Sequence, residues 1–348
     1  MTQAPEWRAP LAPLRVLVAC GWLSDIDAGD ARTCVETVSS SHVVFKVVAP
    51  DGRAAVVKQV PRAAAAAGRS LRQEMFVYRL ARSVPAVAAA LPAPIHIDET
   101  RQILVVTGVD GVHAFPDTGL RVPGCAERLA TLMAGWHRAT QDTGLWPSPA
   151  LGILEMPDDV ALASAGRAEA TQRLMAEIVG DGELSGALRA ARTSWLDTCL
   201  IHGDIRRENW IATMTHGVAD VKVIDWELSG SGDPAWDVAG ILTEICLETV
   251  REDRAPGSAW TPDQEAVVCE FVRAYAKAGG FVSLPSMHDA WDHVVLCAVG
   301  RLLHVACEWA ETQGPGSIDP MPALVEEARG LLRRRGELVD ALGRWSCA

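Results

Sequence analysis

The fold of this chain is decided by one stretch, His202-Gly203-Asp204-Ile205-Arg206-Arg207-Glu208-Asn209, which is followed by Ile224-Asp225-Trp226-Glu227. The first segment predicts a tightly turned loop in which the side chains of Asp204 and Asn209 can face the same phosphate. The residues just before Asp225 are mostly β-branched and predict a strand that ends at this acid, where ligands commonly lie. A carboxylate, an amide and a second carboxylate are therefore expected to converge.

These residue types suit phosphoryl transfer from a nucleotide that carries Mg²⁺. Such a reaction needs a positioned hydroxyl, neutralised phosphate charge and an acceptor for a proton. Asp204 is the candidate base, and Arg206 could offset charge on the transferring phosphate. Asn209 and Asp225 supply the hard oxygen ligands that Mg²⁺ prefers. Ordinary turn formation by Asp and Asn is the competing explanation.

Both segments resemble the HGDxxxxN and IDxE signatures of the aminoglycoside phosphotransferase and choline kinase family, which shares the protein-kinase-like fold. The residues 233–237 resemble the GDPxxD segment that follows in this family, and the resemblance implies that Asp237 braces the loop. His202 is expected to pack the loop rather than to transfer protons. The expected fold class is α+β, with two lobes: a small β-rich N-lobe and a larger, mainly helical C-lobe.

A nucleotide lobe is predicted upstream. The runs 43–48 and 54–58 alternate and flank a turn, which predicts a β-hairpin with Lys58 near its end. The residues 70–80 predict a helix capped by Ser70. By resemblance, Lys58 binds the nucleotide phosphates and Glu74 orients it. Lys58 could instead be a solvated surface lysine, and Glu74 could pair with a neighbouring arginine on its own helix.

Two further segments are expected to contact ATP. Ser40 and Ser41 lie in the loop before the hairpin, and their amides and hydroxyls could bind phosphate, although this loop lacks a glycine. A plain serine-rich turn explains them equally well. The buried run 103–107 predicts a strand that ends at a hinge. The resemblance implies that the adenine edge binds the backbone from Thr107 to Val109.

The predicted organisation is an N-terminal extension at 1–30, a nucleotide-binding N-lobe at 31–110 and a C-lobe at 111–348. The chain has nine cysteines without a paired metal-binding spacing, so no structural zinc is expected. The N-terminus lacks the layout of a secretory signal, which predicts a cytoplasmic protein. The apolar segment 291–309 contains charged residues and helical periodicity, and is expected to be a core helix rather than a membrane span.

Charge is shared unevenly along the chain. Residues 1–109 contain 12 Lys or Arg against 9 Asp or Glu, which leaves 20 against 35 for the remainder. An acidic larger lobe would attract cationic substrates and repel nucleic acid. Solubility alone could explain the acids. Candidate substrate-facing acids lie at 155–159, 248–253 and 289–292, and Trp226 and Trp236 are candidate cleft residues.

The leading hypothesis is an ATP- and Mg²⁺-dependent kinase that phosphorylates a hydroxyl. The acceptor could be a cationic small molecule, such as an aminoglycoside-type antibiotic or an amino alcohol. It could equally be Ser or Thr of a peptide in natural-product maturation of the lanthipeptide type, with a partner enzyme in the same pathway. The alternative from a different class is a nucleotide-binding pseudokinase that acts as a scaffold or a peptide-recognition subunit.

Overall fold

The computed structural model describes residues 11–38, 43–59, 65–109, 112–113, 122–149, 152–215, 218–281, 286–312 and 321–347. The chain forms two compact units. The N-terminal unit consists of Met1–His113 and Ile211–Leu228, and the C-terminal unit of Ala114–Trp210 and Ser229–Ala348. Strands dominate the first unit and helices the second, so the predicted α+β class is confirmed.

The N-terminal unit is built on an antiparallel sheet with four helices beside it. Its elements are α1 (Leu11–Ala19), α2 (Asp25–Ala28), β1 (Cys34–Thr37), β2 (Val43–Val48), β3 (Ala54–Gln59), α3 (Ala65–Leu80), α4 (Pro85–Ala90), β4 (Pro94–Asp98), β5 (Ile103–Thr107), β6 (Val112–His113), β8 (Trp210–Thr215) and β9 (Val218–Val223).

The five-stranded sheet has the order β1-β2-β3-β5-β4. The predicted hairpin is present as β2 and β3, which pair with Val43 opposite Gln59. Lys58 therefore lies on a central strand, opposite Val44 on one side and Leu104 on the other. The strands β6, β8 and β9 form a second, three-stranded sheet that ends next to Asp225.

Two helices differ from the sequence-based expectation. α3 begins at Ala65, because the alanine-rich segment before Ser70 favours helix, and Ser70 lies inside the helix rather than at its cap. α1 falls within the segment that we expected to be an unassigned extension. Its Leu14 and Leu17 pack with Val47, Val57 and other sheet residues in one hydrophobic cluster, so this part of the chain contributes to the core.

The C-terminal unit is mainly helical, with one short antiparallel strand pair. Its elements are α5 (Cys125–Ala139), α6 (Gly152–Glu155), α7 (Val160–Ser164), α8 (Glu169–Gly180), α9 (Gly182–Thr193), β7 (Cys199–Ile201), β10 (Gly230–Gly232), α10 (Pro234–Arg251), α11 (Pro262–Lys277), α12 (Met287–Thr312), α13 (Met321–Arg333) and α14 (Arg335–Ser346).

The long helix α12 is the centre of the C-terminal unit. It packs against α8, α9, α10, α13 and α14. Among the described residues it is the single helix that is long and apolar enough to cross a membrane, but 83% of its most apolar window is buried inside the protein. Trp291 is fully buried. The helix is therefore a core helix, as its periodicity predicted.

Candidate active site

The loop at 202–209 follows β7 and brings its acid and its amide together. Gly203 has a φ of 83°, which favours glycine and lets the chain turn sharply. A short 3₁₀ turn at Arg207–Asn209 then leads into β8. Within the loop, Asn209 Nδ2 donates to Asp204 O at 2.9 Å and to Asp204 Oδ2 at 2.8 Å. The expected approach of Asp204 to Asn209 is therefore present.

The Asp204 carboxylate is held by one of its two oxygens. Oδ2 accepts the hydrogen bond from Asn209 and lies 3.0 Å from Arg206 Nε. The contacts that the described residues make with this carboxylate all reach Oδ2, and the side chain remains 16% exposed. Oδ1 is therefore available to accept a hydrogen bond from a hydroxyl, as a general base requires.

Asp237, on the first turn of α10, braces the loop from below. Its Oδ2 accepts a hydrogen bond from the His202 amide at 2.7 Å, and its Oδ1 accepts one from the Gly203 amide at 2.9 Å. Burial alone would raise the pKa of Asp237, but the His137 side chain and the side chain and amide of His202 hold it below its usual value. His202 is fully buried and packs the loop. Both supporting roles agree with the sequence analysis.

Arg301 and Trp236 support the same loop, and their roles were not foreseen. Arg301, on α12, donates from Nη2 to Ile205 O at 2.6 Å and from Nη1 to Gly203 O at 3.4 Å. Trp236 Nε1 also donates to Gly203 O, at 2.8 Å. Trp226 and Trp236, the candidate cleft residues, are both almost completely buried, and Trp236 contributes to the lining of the cavity beside Asp204. A charged residue inside the apolar α12 was the available signal for Arg301.

Arg206 lies between two carboxylates. Its Nε is 3.0 Å from Asp204 Oδ2, and its Nη1 donates to Glu308 Oε2 at 3.1 Å. Burial would raise the pKa of Glu308, but His304 and Arg206 outweigh it and lower that pKa to about 2. Glu308 therefore stays ionised and fixes the guanidinium beside Asp204. The action of Arg206 on a phosphate remains a prediction.

Lys58, Glu74 and Asp225 form a compact ion cluster in the N-terminal unit. Lys58 Nζ donates to Glu74 Oε1 at 2.8 Å, to Glu74 Oε2 at 2.9 Å and to Asp225 Oδ1 at 2.8 Å. The pairing of Glu74 with Lys58 was expected, whereas the approach of Asp225 to the same ammonium was not. Because α3 presents Glu74 to the middle of the sheet, the ammonium is fixed in position.

Electrostatics keep this lysine charged. Burial would lower the pKa of Lys58, but the carboxylates of Glu74 and Asp225 outweigh burial and raise it above its ordinary value. Burial raises the pKa of Glu74, and repulsion from Asp225 and Glu227 opposes the lowering effect of Lys58. The cluster therefore holds more negative charge than one ammonium neutralises, which suits a second cation.

Asp225 and Asn209 offer oxygen donors that fit Mg²⁺. Asp225 has a φ of 65°, a left-handed conformation that aspartate tolerates, and its side chain is 38% exposed. Both hydrogen bonds of the Asn209 side-chain amide with described residues are donations from Nδ2, which leaves its oxygen for a hard cation. In the described part of the chain, including this site, no group of three or more His, Cys, Asp or Glu side chains is arranged to hold a metal ion.

The other residues predicted to contact the nucleotide are Ser40, Ser41 and the segment from Thr107 to Val109. Ser40 and Ser41 lie outside the described residues. Thr107 donates its amide to Ala93 O at 2.9 Å, and the Gly108 amide donates to Ala54 O at 2.7 Å. These two amides are thus used inside the N-terminal unit. The Val109 amide has no hydrogen-bond partner among the described residues, so it is the better candidate for a base contact.

A cavity of about 230 Å³ opens beside Asp204 within the C-terminal unit. Its walls are the loop at 203–208, one face of α10 and one face of α12. The three acidic segments that we expected to face a substrate supply no acid to this cavity. Asp158 pairs with Arg189, and Asp292 pairs with Arg335. Glu244 on α10, which we did not predict, is the acid that the cavity contains beyond the loop.

Solved structures that match this fold include kinases and phosphotransferases. A choline/ethanolamine kinase family protein from Mesorhizobium loti matches with a TM-score of 0.53 and 15% identity, over 98% of this chain and 100% of that chain. Plasmodium vivax ethanolamine kinase matches with a TM-score of 0.57 and 11% identity, over 91% and 86%. The GDP complex of aminoglycoside 2'-phosphotransferase-IIIa matches with a TM-score of 0.56 and 13% identity, over 95% and 99%. The predicted kinase-like fold is confirmed.

The sequence itself matches a known family. No curated protein matches the chain significantly. A family model described as the phosphotransferase enzyme family matches residues 36–281. This region includes the ion cluster of the N-terminal unit and the loop at 202–209. Because the match spans most of the chain, the protein belongs to the phosphotransferase enzyme family.

Proposed function

We propose that the protein is a Mg²⁺-dependent kinase that transfers the γ-phosphate of ATP to a hydroxyl group. The observation that carries this proposal is the Asp204 carboxylate, which Asn209 holds by Oδ2 within a loop braced by Asp237. A carboxylate with one free oxygen in a fixed loop can align a hydroxyl and accept its proton. Membership of a phosphotransferase family supports this reaction type.

The remaining residues are assigned to phosphate and metal. Lys58, held by Glu74, would bind the α- and β-phosphates. Val109, and with it the segment from Thr107, would bind the adenine edge through backbone groups. Asn209 and Asp225 would hold Mg²⁺, which supplies charge neutralisation on the phosphates when it is bound. Ser40 and Ser41 complete the proposed phosphate contacts.

The acceptor is proposed as a small molecule with a free hydroxyl. Structures with this fold are named for choline, ethanolamine, macrolide and aminoglycoside substrates, which are all small molecules. A peptide Ser or Thr, presented by a partner enzyme, is the competing acceptor and belongs in the same screen. GTP is tested beside ATP because one structural neighbour binds GDP.

The deciding experiment measures transfer of labelled γ-phosphate to acceptors from each class, with wild-type protein and Asp204→Asn. We expect Asp204→Asn to lower kcat by about 10²- to 10⁴-fold, because the proton acceptor is lost. The nucleotide dissociation constant and the melting temperature should remain unchanged. Asp197→Asn is the matched control, because this aspartate is exposed and lies just before β7.

The control variant should retain full activity. Undiminished transfer by Asp204→Asn would overturn the assignment of the base. Nucleotide binding without transfer to any acceptor, together with unchanged biological activity of Asp204→Asn, would favour the scaffold role instead.

A further inference from the structure

A second cavity, of about 700 Å³, lies within the N-terminal unit. Its walls come from the end of α3, from α4 and the residues 91–94, from the segment 107–109, and from β8 and β9. Of the described residues, none from β2, from β3 or from the ion cluster of Lys58, Glu74 and Asp225 contributes to its lining. The cavity is therefore separate from the residues proposed to bind phosphate and metal.

One wall of this cavity is hydrogen-bonded to the segment that is proposed to bind the adenine edge. The Ala93 amide donates to Thr107 Oγ1 at 3.0 Å, and the Thr107 amide donates back to Ala93 O at 2.9 Å. The side chain of Thr107 lies on the opposite face of β5 from Leu104, which shares the face of Lys58. A molecule in the cavity would therefore contact the segment 107–109 from the side that faces away from Lys58.

Tyr78 brings a hydroxyl without a partner to the lining. The residue is 1% exposed, and its hydroxyl forms no hydrogen bond with a described residue. Burial, together with the charges of Glu74 and Asp225, raises the pKa of Tyr78 well above its ordinary value, so the hydroxyl keeps its proton. A buried donor is costly unless a bound molecule accepts its hydrogen bond. The cavity thus contains a donor that a ligand can satisfy.

The charged side chains of the lining leave one cation available. They are Arg82, Asp220 and Lys222. Lys222 is already used, because its Nζ donates to Ala89 O at 2.9 Å and lies 3.5 Å from Asp220 Oδ2. Arg82 is exposed just after α3, and its guanidinium forms no hydrogen bond or ion pair with a described residue. The rim of the cavity therefore favours a ligand with a negative group.

Most of the remaining lining is apolar. Leu91, Pro92 and Pro94 contribute apolar surface beside Tyr78. The volume falls within the range of roughly 300–1,000 Å³ that is usual for pockets that bind small molecules. Such a lining suits a planar aromatic skeleton, which buries a large apolar area in a fixed shape.

We propose that this cavity is an effector site for a planar aromatic acid of two or more rings, with an oxygen atom at the end opposite its carboxylate. The carboxylate contacts Arg82 at the rim, the rings pack on Leu91 and its neighbouring prolines, and the oxygen accepts the hydrogen bond of Tyr78. Binding changes the affinity for nucleotide through the hydrogen bonds that join Ala93 to Thr107. This last step rests on the proposed function.

The test uses three related probes and calorimetry with the full-length protein. 6-Hydroxy-2-naphthoate carries both polar groups, 2-naphthoate lacks the hydroxyl, and 2-naphthol lacks the carboxylate. We expect 6-hydroxy-2-naphthoate to bind at one site per chain, and about threefold or more tightly than either analogue, because each analogue leaves one polar contact unmade.

Two variants assign the polar contacts separately. Tyr78→Phe removes only the hydroxyl, and should weaken 6-hydroxy-2-naphthoate about threefold or more while leaving 2-naphthoate unchanged. Arg82→Gln should weaken both carboxylates and leave 2-naphthol unchanged. Arg72→Gln is the matched control, because it removes an exposed arginine of α3 that lies outside the lining. It should change the affinity for none of the three probes.

A third variant blocks the cavity without altering a polar contact. Ala88 lines the cavity from an exposed position on α4, so Ala88→Phe should fill part of the volume and leave the core intact. We expect it to weaken all three probes about tenfold or more, with a melting temperature close to that of the wild type. Equal binding by Ala88→Phe and the wild type, or no binding of 6-hydroxy-2-naphthoate to the wild type, would overturn the site.

The effector role has its own readout. Titration of ADP with Mg²⁺ is repeated at saturating 6-hydroxy-2-naphthoate, and we expect the dissociation constant of ADP to change about fivefold or more, with the reciprocal change for the naphthoate. Ala88→Phe should abolish this change. An unaltered dissociation constant of ADP overturns the effector role. If the wild-type protein binds no nucleotide, the proposed function fails, whereas the naphthoate titrations still decide whether the cavity binds the acid.

Discussion

At the scale of single residues, the buried acid Glu244 lowers the stability of the folded protein at neutral pH. It lies in a helix whose buried residues are mostly apolar, with Ile241, Ile245 and Leu247 around it. A raised pKa means that the folded state binds the proton more tightly than the unfolded chain does. Stability from this group is therefore greatest below the unfolded pKa and declines as the pH rises towards the folded pKa of about 7.

We expect Glu244→Gln to remove this decline. The shift from 4.5 to about 7 corresponds to about 3 kcal/mol. The free energy of unfolding of the variant minus that of the wild type should increase by about this amount from about pH 4.5 to pH 7.5, and should be constant above that. Urea unfolding followed by tryptophan fluorescence at several pH values measures the difference.

Glu337→Gln on α14 is the control, because it removes the same charge from an exposed position. Its difference curve should be flat. A flat curve for Glu244→Gln as well would show that the Glu244 carboxyl is not strained in the folded protein.

The residues of the site differ in how far sequence could identify them. Asp204 and Asn209 were predicted because they contact each other within one short stretch of chain, where spacing carries the information. Asp237, whose contacts lie about 35 positions away, was predicted only from the family resemblance of residues 233–237. Arg301 contacts Ile205 across 96 positions, and no local pattern encodes that distance. Glu244 and Arg301 are charged residues in apolar helices, which is a signal of function or pairing, but it does not name the partner.

At the scale of elements, the contact between α10 and the loop at 202–209 depends on one glycine. A Cβ at Gly240 would lie 2.5 Å from Ile205 O and 3.0 Å from Ile205 Cβ. The same carbonyl accepts the hydrogen bond from Arg301. The loop is therefore pressed against α10 on one side and held by α12 on the other, which leaves Asp204 little freedom to move.

We expect Gly240→Ala to displace the loop and to lower kcat by roughly 10- to 100-fold, because small misplacements of a catalytic group are costly. Overpacking should also reduce stability by about 1–3 kcal/mol. Steady-state kinetics and thermal unfolding measure the two effects. Gly343→Ala in α14 is the control, since no heavy atom lies within 4 Å of its added methyl group.

The control should keep wild-type kcat and gain up to about 1 kcal/mol of helix stability. Wild-type kcat in Gly240→Ala would mean that the loop relaxes without moving Asp204, and that the close packing has no role in the reaction.

At the scale of the whole molecule, the chain passes between its two units three times. The N-terminal unit ends at His113, resumes at Ile211 and ends again at Leu228. Sequence analysis placed a single boundary near residue 110, and assigned the hairpin that carries Asp225 to the larger lobe. The pairing of β6 with β8, with His113 opposite Ile211, joins residues about 100 positions apart, and neither strand is distinctive by itself.

The segment 211–228 completes the N-terminal unit. β9 packs on α4, where Lys222 Nζ donates to Ala89 O at 2.9 Å, and the turn at Trp226–Leu228 packs on α3. Asp225 supplies one of the two carboxylates on Lys58. Residues 1–113 alone would expose the apolar surfaces of α3 and α4 and leave the buried Lys58–Glu74 pair without this support.

We therefore expect the fragment 1–113 to lack a cooperative thermal transition, whereas the same fragment joined to 211–228 should fold. The join needs only a short glycine-serine turn, because paired residues such as His113 and Ile211 have Cα atoms about 5 Å apart. Circular dichroism during heating compares the two proteins, and a joined fragment with Trp226→Ala tests the contact with α3. That substitution should cost about 3–5 kcal/mol, because Trp226 is fully buried. An identical cooperative transition in 1–113 alone would mean that the sheet folds without the segment 211–228.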